Sequence, residues 1–168
     1  MKVREVIQLS AELLGIELTE ENTNLLLHCC NLVENELATD YIPLRTVDKV
    51  LIKDNKIKYT DLKNKAYKIL KVLDYQNDEV KYRIYPEYLK LKKNYNGYYF
   101  FVRYSYMPAE KKIGDNCEYD GRMEQVLKYG VCAEYCFMQG DYETASVFNE
   151  KYKRAIQERY AKRRVNNG

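Results

Sequence analysis

Apolar residues recur every three or four positions through the first forty residues, which is the spacing of helices. The apolar face of the first predicted helix consists of Val3, Val6, Ile7, Ser10, Leu13 and Leu14. Gly15 predicts the end of this helix, because glycine readily adopts the left-handed conformation found at helix C-termini. Thr19 can then cap a second helix. The apolar face of that helix contains Leu25, Leu26, Cys29, Leu32, Val33 and Leu37. Residues 1–40 therefore predict two N-terminal helices.

The hydrophobic period changes to two between residues 41 and 108, as is typical of β-strands. Val47–Ile52 predicts a strand, Lys53–Lys56 its turn and Ile57–Tyr59 the partner strand. Tyr67–Leu73 and Val80–Tyr85 predict a second hairpin, although residues 62–73 also fit a helix. This stretch indicates a β-rich insertion between helical segments.

Asn96-Gly97 is the sharpest local signal in the chain, because both residues tolerate the positive φ of a two-residue hairpin turn. Such a turn fixes the register of the strands on either side. The predicted register pairs Tyr95 with Tyr98, Leu91 with Val102 and Leu89 with Tyr104. These six side chains and Phe100 are expected on one buried face of a β-hairpin.

Helical spacing returns near residue 118. The first predicted helix of this stretch has an apolar face of Met123, Val126, Leu127, Val131, Tyr135 and Met138. Gly140 predicts its end, and Asp141 can cap the next helix at once. That helix carries Tyr142, Ala145, Phe148, Tyr152, Ala155 and Ile156 at helical spacing. Residues 118–160 thus predict an antiparallel helical hairpin, followed by a flexible basic tail at 161–168.

The predicted fold class is α+β, with about four helices in a bundle and a small antiparallel sheet or sandwich inserted in the middle. The chain has 168 residues, 46% of them hydrophobic and 32% charged, which favours one globular domain. Its five cysteines are an odd number and are expected to be reduced thiols. The start lacks an apolar signal region and no long apolar span follows, so neither secretion nor membrane insertion is expected.

Basic residues are concentrated at the C-terminal end. From Glu150 onward the chain has seven basic and two acidic residues, whereas the rest has a net charge of about −2. Arg159, Lys162, Arg163 and Arg164 are therefore candidate interface residues. Two interpretations stay open: a disordered tail that becomes ordered on an acidic partner, or a basic helix end that complements the helix dipole.

No residue pattern predicts catalysis, a cofactor or a bound metal. His28 is the single histidine, which removes most general-base schemes. A zinc site would need Cys132 and Cys136, which are spaced by one helical turn, but no paired C-x-x-C is present. The glycine patterns of nucleotide-binding loops are also missing. We expect a protein that is not an enzyme.

Aromatic and basic residues alternate in a way that suggests a nucleic-acid platform. The residues concerned are Tyr82, Arg83, Tyr85, Tyr98, Phe100, Arg103 and Tyr104. The predicted hairpin register buries the aromatic members, however, so core packing is the preferred interpretation. The chain also has 18 tyrosines and no tryptophan. Tyrosine suits half-buried interfaces, which makes Tyr95 and Tyr98 further interface candidates.

Two segments carry a resemblance to a known family. They are the helical stretch Val126–Ala145 (VLKYGVCAEYCFMQGDYETA) and the strand end Tyr104-Ser-Tyr-Met-Pro108. Together with the order of helices and β insertion, they make the chain similar to head-to-tail adaptor (connector) proteins of tailed phages and prophages. The large β insertion departs from the simplest all-helical adaptors.

The resemblance implies a structural protein of the virion neck, made in the bacterial host cytoplasm. Its copies would form a homo-oligomeric ring, typically of about twelve subunits, between the portal protein and a downstream neck or tail protein. DNA would pass through the lumen near the basic tail. The alternative function is a small cytosolic nucleic-acid-binding regulator that uses the basic tail.

Overall fold

The computed structural model describes the backbone of residues 1–165 and the side chains of residues 1–159. The fold is α+β, as predicted, with four α-helices and two small antiparallel sheets in this range. The chain divides into two compact units. The helical unit comprises residues 1–37 and the chain from residue 110 onward, and the β unit comprises residues 38–109. The β unit has nearly the bounds predicted for the insertion, and it forms a unit of its own because its two sheets share a separate core.

The two N-terminal helices begin where the sequence predicts, but the second α-helix ends at Glu36 and is followed by a π-helical turn at Leu37–Tyr41. Helix α1 spans Val3–Leu14, and Gly15 ends it with a φ of +66°. Helix α2 spans Glu20–Glu36, and the Asn22 N–H donates to the Oγ1 of the capping residue Thr19 over 3.2 Å. The predicted inward position of Leu13 is wrong, since its side chain is exposed and Ala11 is buried instead.

The C-terminal helical hairpin is also confirmed. Helix α3 spans Glu124–Met138 and helix α4 spans Tyr142–Val165. Between them Gly140 has a φ of +77°, and the Thr144 N–H donates to Asp141 Oδ1 over 3.1 Å. Two residues predicted on the apolar faces, Met138 and Tyr142, are exposed.

Helix α4 extends beyond residue 160, where the flexible tail was predicted to begin. Residues 161–165 lie in the helix, and residues 166–168 lie outside the described part of the chain. This segment contains alanine, lysine and arginine, which favour helix formation, and basic side chains near a helix C-terminus complement its dipole.

Six strands build the β unit as two sheets. The first sheet consists of β1 (Leu44–Leu51), β6 (Tyr99–Tyr106) and β3 (Ala66–Leu73), with β6 in the centre. The second consists of β2 (Lys56–Lys58), β5 (Tyr88–Leu91) and β4 (Tyr82–Ile84), with β5 in the centre. All pairings are antiparallel. The shared core includes Val50, Val72 and Phe100 from the first sheet and Ile57, Leu89 and Leu91 from the second.

The predicted hairpin pairing around Asn96-Gly97 is wrong. Gly97 has a φ of +84°, and the Tyr98 N–H donates to the Tyr95 carbonyl over 3.2 Å, so a turn is present. Strands β5 and β6 nevertheless belong to different sheets. The Asn55 side chain accounts for this separation, because it accepts from the Tyr95 N–H (3.2 Å) and donates to the Leu91 carbonyl (2.9 Å). These bonds occupy the backbone groups that a β5–β6 ladder would use.

The strand pairing predicted for the other two hairpins is also wrong. Their turns close, with bridges between Lys53 and Lys56 and between Leu73 and Glu79. The strands on either side then separate: β1 and β3 join β6, whereas β2 and β4 join β5. Most residues predicted on the buried face are nevertheless buried, although the strands pair differently from the prediction. Among the seven residues of that face only Tyr98 is exposed, at 51% of its surface, and Tyr95 is half-buried.

Gly130 on α3 determines how closely this helix packs against α2 and α4. A Cβ at this position would lie 2.8 Å from Val33 Cγ1 on α2 and 3.0 Å from Tyr152 Cε2 on α4. Both neighbours are buried, so neither can move away freely. The absence of a side chain at residue 130 therefore allows α3 to pack closely against α2 and α4.

We expect Gly130→Ala to lower the free energy of unfolding by about 1–2 kcal/mol, because the overpacking cost exceeds the gain in helix propensity. Gly121→Ala is the control, since a Cβ at Gly121 has no atom within 4 Å. Its effect should stay within about 0.5 kcal/mol. Urea denaturation of the three proteins checks this, and equal stability of the two variants would contradict the packing account.

Candidate interaction surface

Strand β6 presents two chemically different faces because successive strand residues point to opposite sides. Phe100, Val102 and Tyr104 are completely buried in the core of the β unit. Tyr99 and Arg103, on the other side, are exposed, and Phe101 between them is half-buried. The aromatic and basic side chains of β6 therefore separate into a core set and a surface set.

The neighbouring strands extend the surface set. In the register of the sheet, Arg103 lies between Val47 and Lys71, and Phe101 lies between Lys49 and Leu73. Ser105 lies between the two further cations Arg45 and Lys68. We call this surface the basic sheet face; its charged and aromatic members are Arg45, Lys49, Lys68, Lys71, Arg103, Tyr99 and Phe101.

The charges of the basic sheet face are nearly uncompensated. The outward positions of β1, β6 and β3, all within the described residues, carry no acidic side chain. Lys71 Nζ lies 3.2 Å from Glu79 Oε2, but both side chains are more than half exposed, so this pair contributes little. Lys49 Nζ lies 4.5 Å from the centre of the Tyr99 ring, a cation–π contact.

Two β-bulges add apolar groups along β3. The register shifts between Ala66 and Lys68 and again between Ile69 and Lys71. The extra residues, Tyr67 and Leu70, are both exposed. Bulges redirect side chains at sheet edges, and here they place two apolar side chains on the surface beside the lysines.

The basic sheet face belongs to a strongly basic unit. Residues 38–109 have fifteen basic and eight acidic side chains, a net charge of +7, whereas the rest of the chain has −4. The net charge of all residues before the C-terminal tail does not show how basic the β unit is, because the acidic helical segments offset its positive charge. Counting charge over the predicted insertion alone reveals it from the sequence.

The second sheet has a smaller basic surface. Lys56, Lys90 and Arg83 are register neighbours across its three strands. Lys56 Nζ lies 4.5 Å from the ring centre of Tyr88, which stacks on Tyr85 at 4.9 Å. The outer surfaces of both sheets are therefore basic, and the first is larger because its strands have eight residues each.

The predicted interface candidates do not form one site. Tyr95 packs edge-on against Phe100 at 4.9 Å, which is a core contact, and exposed Tyr98 stacks on Tyr75 at 5.5 Å. Arg159 is half-buried on α4, in the helical unit. There it makes a minor contribution to the lowered pKa of Asp120, which is due mainly to hydrogen bonding from Arg122. The side chains of Lys162, Arg163 and Arg164 lie outside the described part.

The aromatic residues that suggested a nucleic-acid platform in the sequence do not all lie in the core: Tyr98 is exposed, and Tyr82 and Tyr85 are half-buried. Phe100 and Tyr104 are buried, as the preferred interpretation held. Arg103, however, points to the opposite face, where Tyr99 and Phe101 lie. The alternation within β6 is the signal that separates these two sets, since a buried Phe100 requires its neighbours to face outward.

The cysteines are free thiols, and four of the five are buried. Burial raises the pKa of Cys29 and Cys132 to about 12. A hydrogen bond between Cys30 and Cys117 raises the pKa of Cys30 and lowers that of Cys117. Within the described residues no group of three potential ligands is arranged to hold a metal ion, and no helix is both long and apolar enough to cross a membrane.

Glu34 is a buried carboxylate in the helical unit, with 1% of its surface exposed. Its Oε1 accepts from the Glu118 N–H over 2.8 Å, whereas its Oε2 has no hydrogen-bond partner. Burial raises the pKa of Glu34, and the hydrogen bond from the Glu118 N–H and the charge of Lys111 oppose the shift. The hydrogen bond connects α2 to the segment that precedes α3.

Comparison of the sequence with models of protein families finds no match, and comparison with curated proteins also finds none. Inferences about function therefore depend on the surfaces and the charge distribution described above.

We expect Glu34→Gln to stabilise the protein at pH 7. The raised pKa means that the native state binds this proton more tightly than the unfolded state, so the contribution of Glu34 is most favourable in acid and is lost as the pH rises through the folded pKa. Glutamine keeps an acceptor oxygen without a charge. The gain should shrink as the pH falls to about 4.

Urea denaturation across this pH range measures the difference, with Glu143→Gln on the exposed surface of α4 as the control. A constant difference between wild type and Glu34→Gln at every pH would contradict a desolvated carboxylate.

Proposed function

We propose that this chain is a structural assembly protein without catalytic activity, of the head-to-tail adaptor type. Its copies would form a homo-oligomeric ring in the neck of a tailed-phage virion, between the portal protein and a downstream neck or tail protein. The observation that carries the proposal is a patch of exposed apolar side chains at one end of the helical unit.

The patch residues lie at the C-terminal end of α1, in the loop that follows it and around the α3–α4 turn. Its members are Leu13, Leu18, Phe137, Met138, Tyr142 and Val147, each at least 40% exposed. Leu14, next to Leu13, packs against a buried cluster of the α3–α4 hairpin, so the C-terminal end of α1 lies beside that hairpin. The cluster consists of Cys132, Ala133, Cys136, Ala145 and Phe148. Phe137 and Tyr142 contact each other edge to face at 5.5 Å. We call these residues the apolar end patch.

A surface of this kind favours protein–protein contact. Single exposed apolar residues are common, but a group of large ones at one end of a unit is typical of an interaction site. Full burial of one such side chain stabilises an interface by about 1.5–3 kcal/mol. Copies of this chain are the partner that a ring requires, because ring subunits contact each other through two different surfaces.

The order of segments adds a second line of support. Both ends of the chain contribute to the helical unit, and the β unit is inserted between α2 and α3. This arrangement gives a subunit two compact units. In the proposed ring, one unit would make the contacts within the ring and the other the contacts with neighbouring virion proteins. The alternative of a nucleic-acid-binding regulator was based on the basic tail, where side chains beyond residue 159 lie outside the described part.

We expect Phe137→Asp to weaken self-association at least tenfold, about 1.4 kcal/mol, because it places a charge in the contact. Helix content should stay unchanged, since Phe137 is 61% exposed and contributes little to the core. Sedimentation velocity over a concentration series measures the association constant, and circular dichroism measures the helix content.

Ile84→Asp provides the matched control, because Ile84 is an exposed apolar residue of the β unit outside the patch. It should associate like the wild type. A wild type that stays monomeric across the series, or a Phe137→Asp variant that associates normally, would contradict the assignment.

A further inference from the structure

We infer that the basic sheet face binds single-stranded nucleic acid. Phosphates would contact Arg45, Arg103, Lys71 and Lys49, and bases would stack on Tyr99 and Phe101. This inference goes beyond the adaptor proposal and does not depend on it, because it concerns the β unit, whereas the apolar end patch lies on the helical unit.

The positive charge of the basic sheet face favours a polyanion as its ligand. Arg103 and Lys71 are direct register neighbours, so two like charges lie side by side across the strands. Such a pair is destabilising unless an anion lies nearby. Glu79 lies beside Lys71, but its side chain is 58% exposed, and the outward positions of these strands carry no acid, so the surface keeps an excess of positive charge that an anionic ligand can compensate. Nucleic acid supplies a regular series of negative charges.

The aromatic side chains favour single strands over duplex. Tyr99 and Phe101 lie two residues apart on the central strand, so their side chains are about 6–7 Å apart along it. Unpaired bases stack on rings that are at least partly exposed, as Tyr99 is exposed and Phe101 half-buried, with cations beside them for the phosphates. In a duplex the bases are already stacked, and reading them requires an element that enters a groove. A three-stranded sheet surface presents no such element.

A second copy of the chain is the competing occupant, because the rest of the chain carries −4 against the +7 of the β unit. Charge alone would permit this contact. The exposed ring of Tyr99 beside the cations is the feature that favours nucleic acid, since a single strand supplies bases that stack and phosphates that pair with cations at regular spacing.

The test is fluorescence anisotropy of the full chain with a labelled oligothymidine, over a series of salt concentrations. The wild type should bind with an affinity that falls as salt increases. Lys71→Glu/Arg103→Glu should weaken binding at least tenfold and reduce the slope against log salt by about 1–2, at roughly 0.7 per lost phosphate contact. Tyr99→Ala should weaken binding fivefold or more without changing that slope.

Two matched controls locate the effect. Arg83→Glu/Lys90→Glu makes the same charge change in a register pair of the second sheet, and Tyr98→Ala removes an exposed tyrosine next to Tyr99. Both should bind within about twofold of the wild type, as should Phe137→Asp. Equal losses in the two double variants would overturn the assignment to the basic sheet face.

Three further results would contradict binding of single-stranded nucleic acid to the basic sheet face. Absence of binding at low salt would overturn the inference, and so would preference for a duplex of the same length. If Lys71→Glu/Arg103→Glu instead abolishes a salt-sensitive self-association and the oligonucleotide does not bind, the occupant is a second copy of the chain.

Discussion

The central position of β6 is the constraint on which the β unit depends. A strand flanked on both sides must satisfy two ladders at once, and its side chains must alternate between core and surface. Once Phe100 and Tyr104 fill the core, Tyr99 and Arg103 have to face outward. The register then sets Arg103 beside Lys71 and Phe101 beside Lys49, so the composition of the basic sheet face follows from the packing of the opposite side.

A buried hydrogen-bond network fixes β6 in this place. Tyr104 Oη donates to Asp48 Oδ2 over 2.6 Å, and the same carboxylate oxygen accepts from the Lys63 N–H over 2.7 Å. The Asn64 N–H donates to Tyr104 Oη over 3.2 Å. Burial and this bond to Asp48 raise the pKa of Tyr104. A shift of β6 by one residue would move Tyr104 to the surface and leave the carboxylate of Asp48 buried with fewer partners, which is costly. The network therefore ties the register to polar groups as well as to apolar packing.

Local signals predicted the helices well and the strand partners poorly. Thr19, Gly15, Gly140 and Asp141 act within a few residues of themselves, so the helix ends could be identified from the sequence. Strand partners depend on contacts distant along the chain. The hydrogen bonds that the Asn55 side chain donates to the Leu91 carbonyl and accepts from the Tyr95 N–H span about forty residues, and no local sequence pattern predicts them. The buried face was predictable nevertheless, because alternation does not depend on the partner. The basic sheet face was not predicted, because the charge of the C-terminal residues was set against that of the rest of the chain. The net charge of the predicted insertion alone would have indicated it.

The pairing of β6 is the claim that the surface assignment needs most, and nuclear Overhauser contacts between backbone protons test it directly. Facing residues in antiparallel strands bring their Cα atoms to about 4.5–5.5 Å. We expect cross-strand contacts between Asp48 and Val102 and between Val72 and Val102. Contacts between Leu91 and Val102 in their place would restore the simple hairpin and contradict the account.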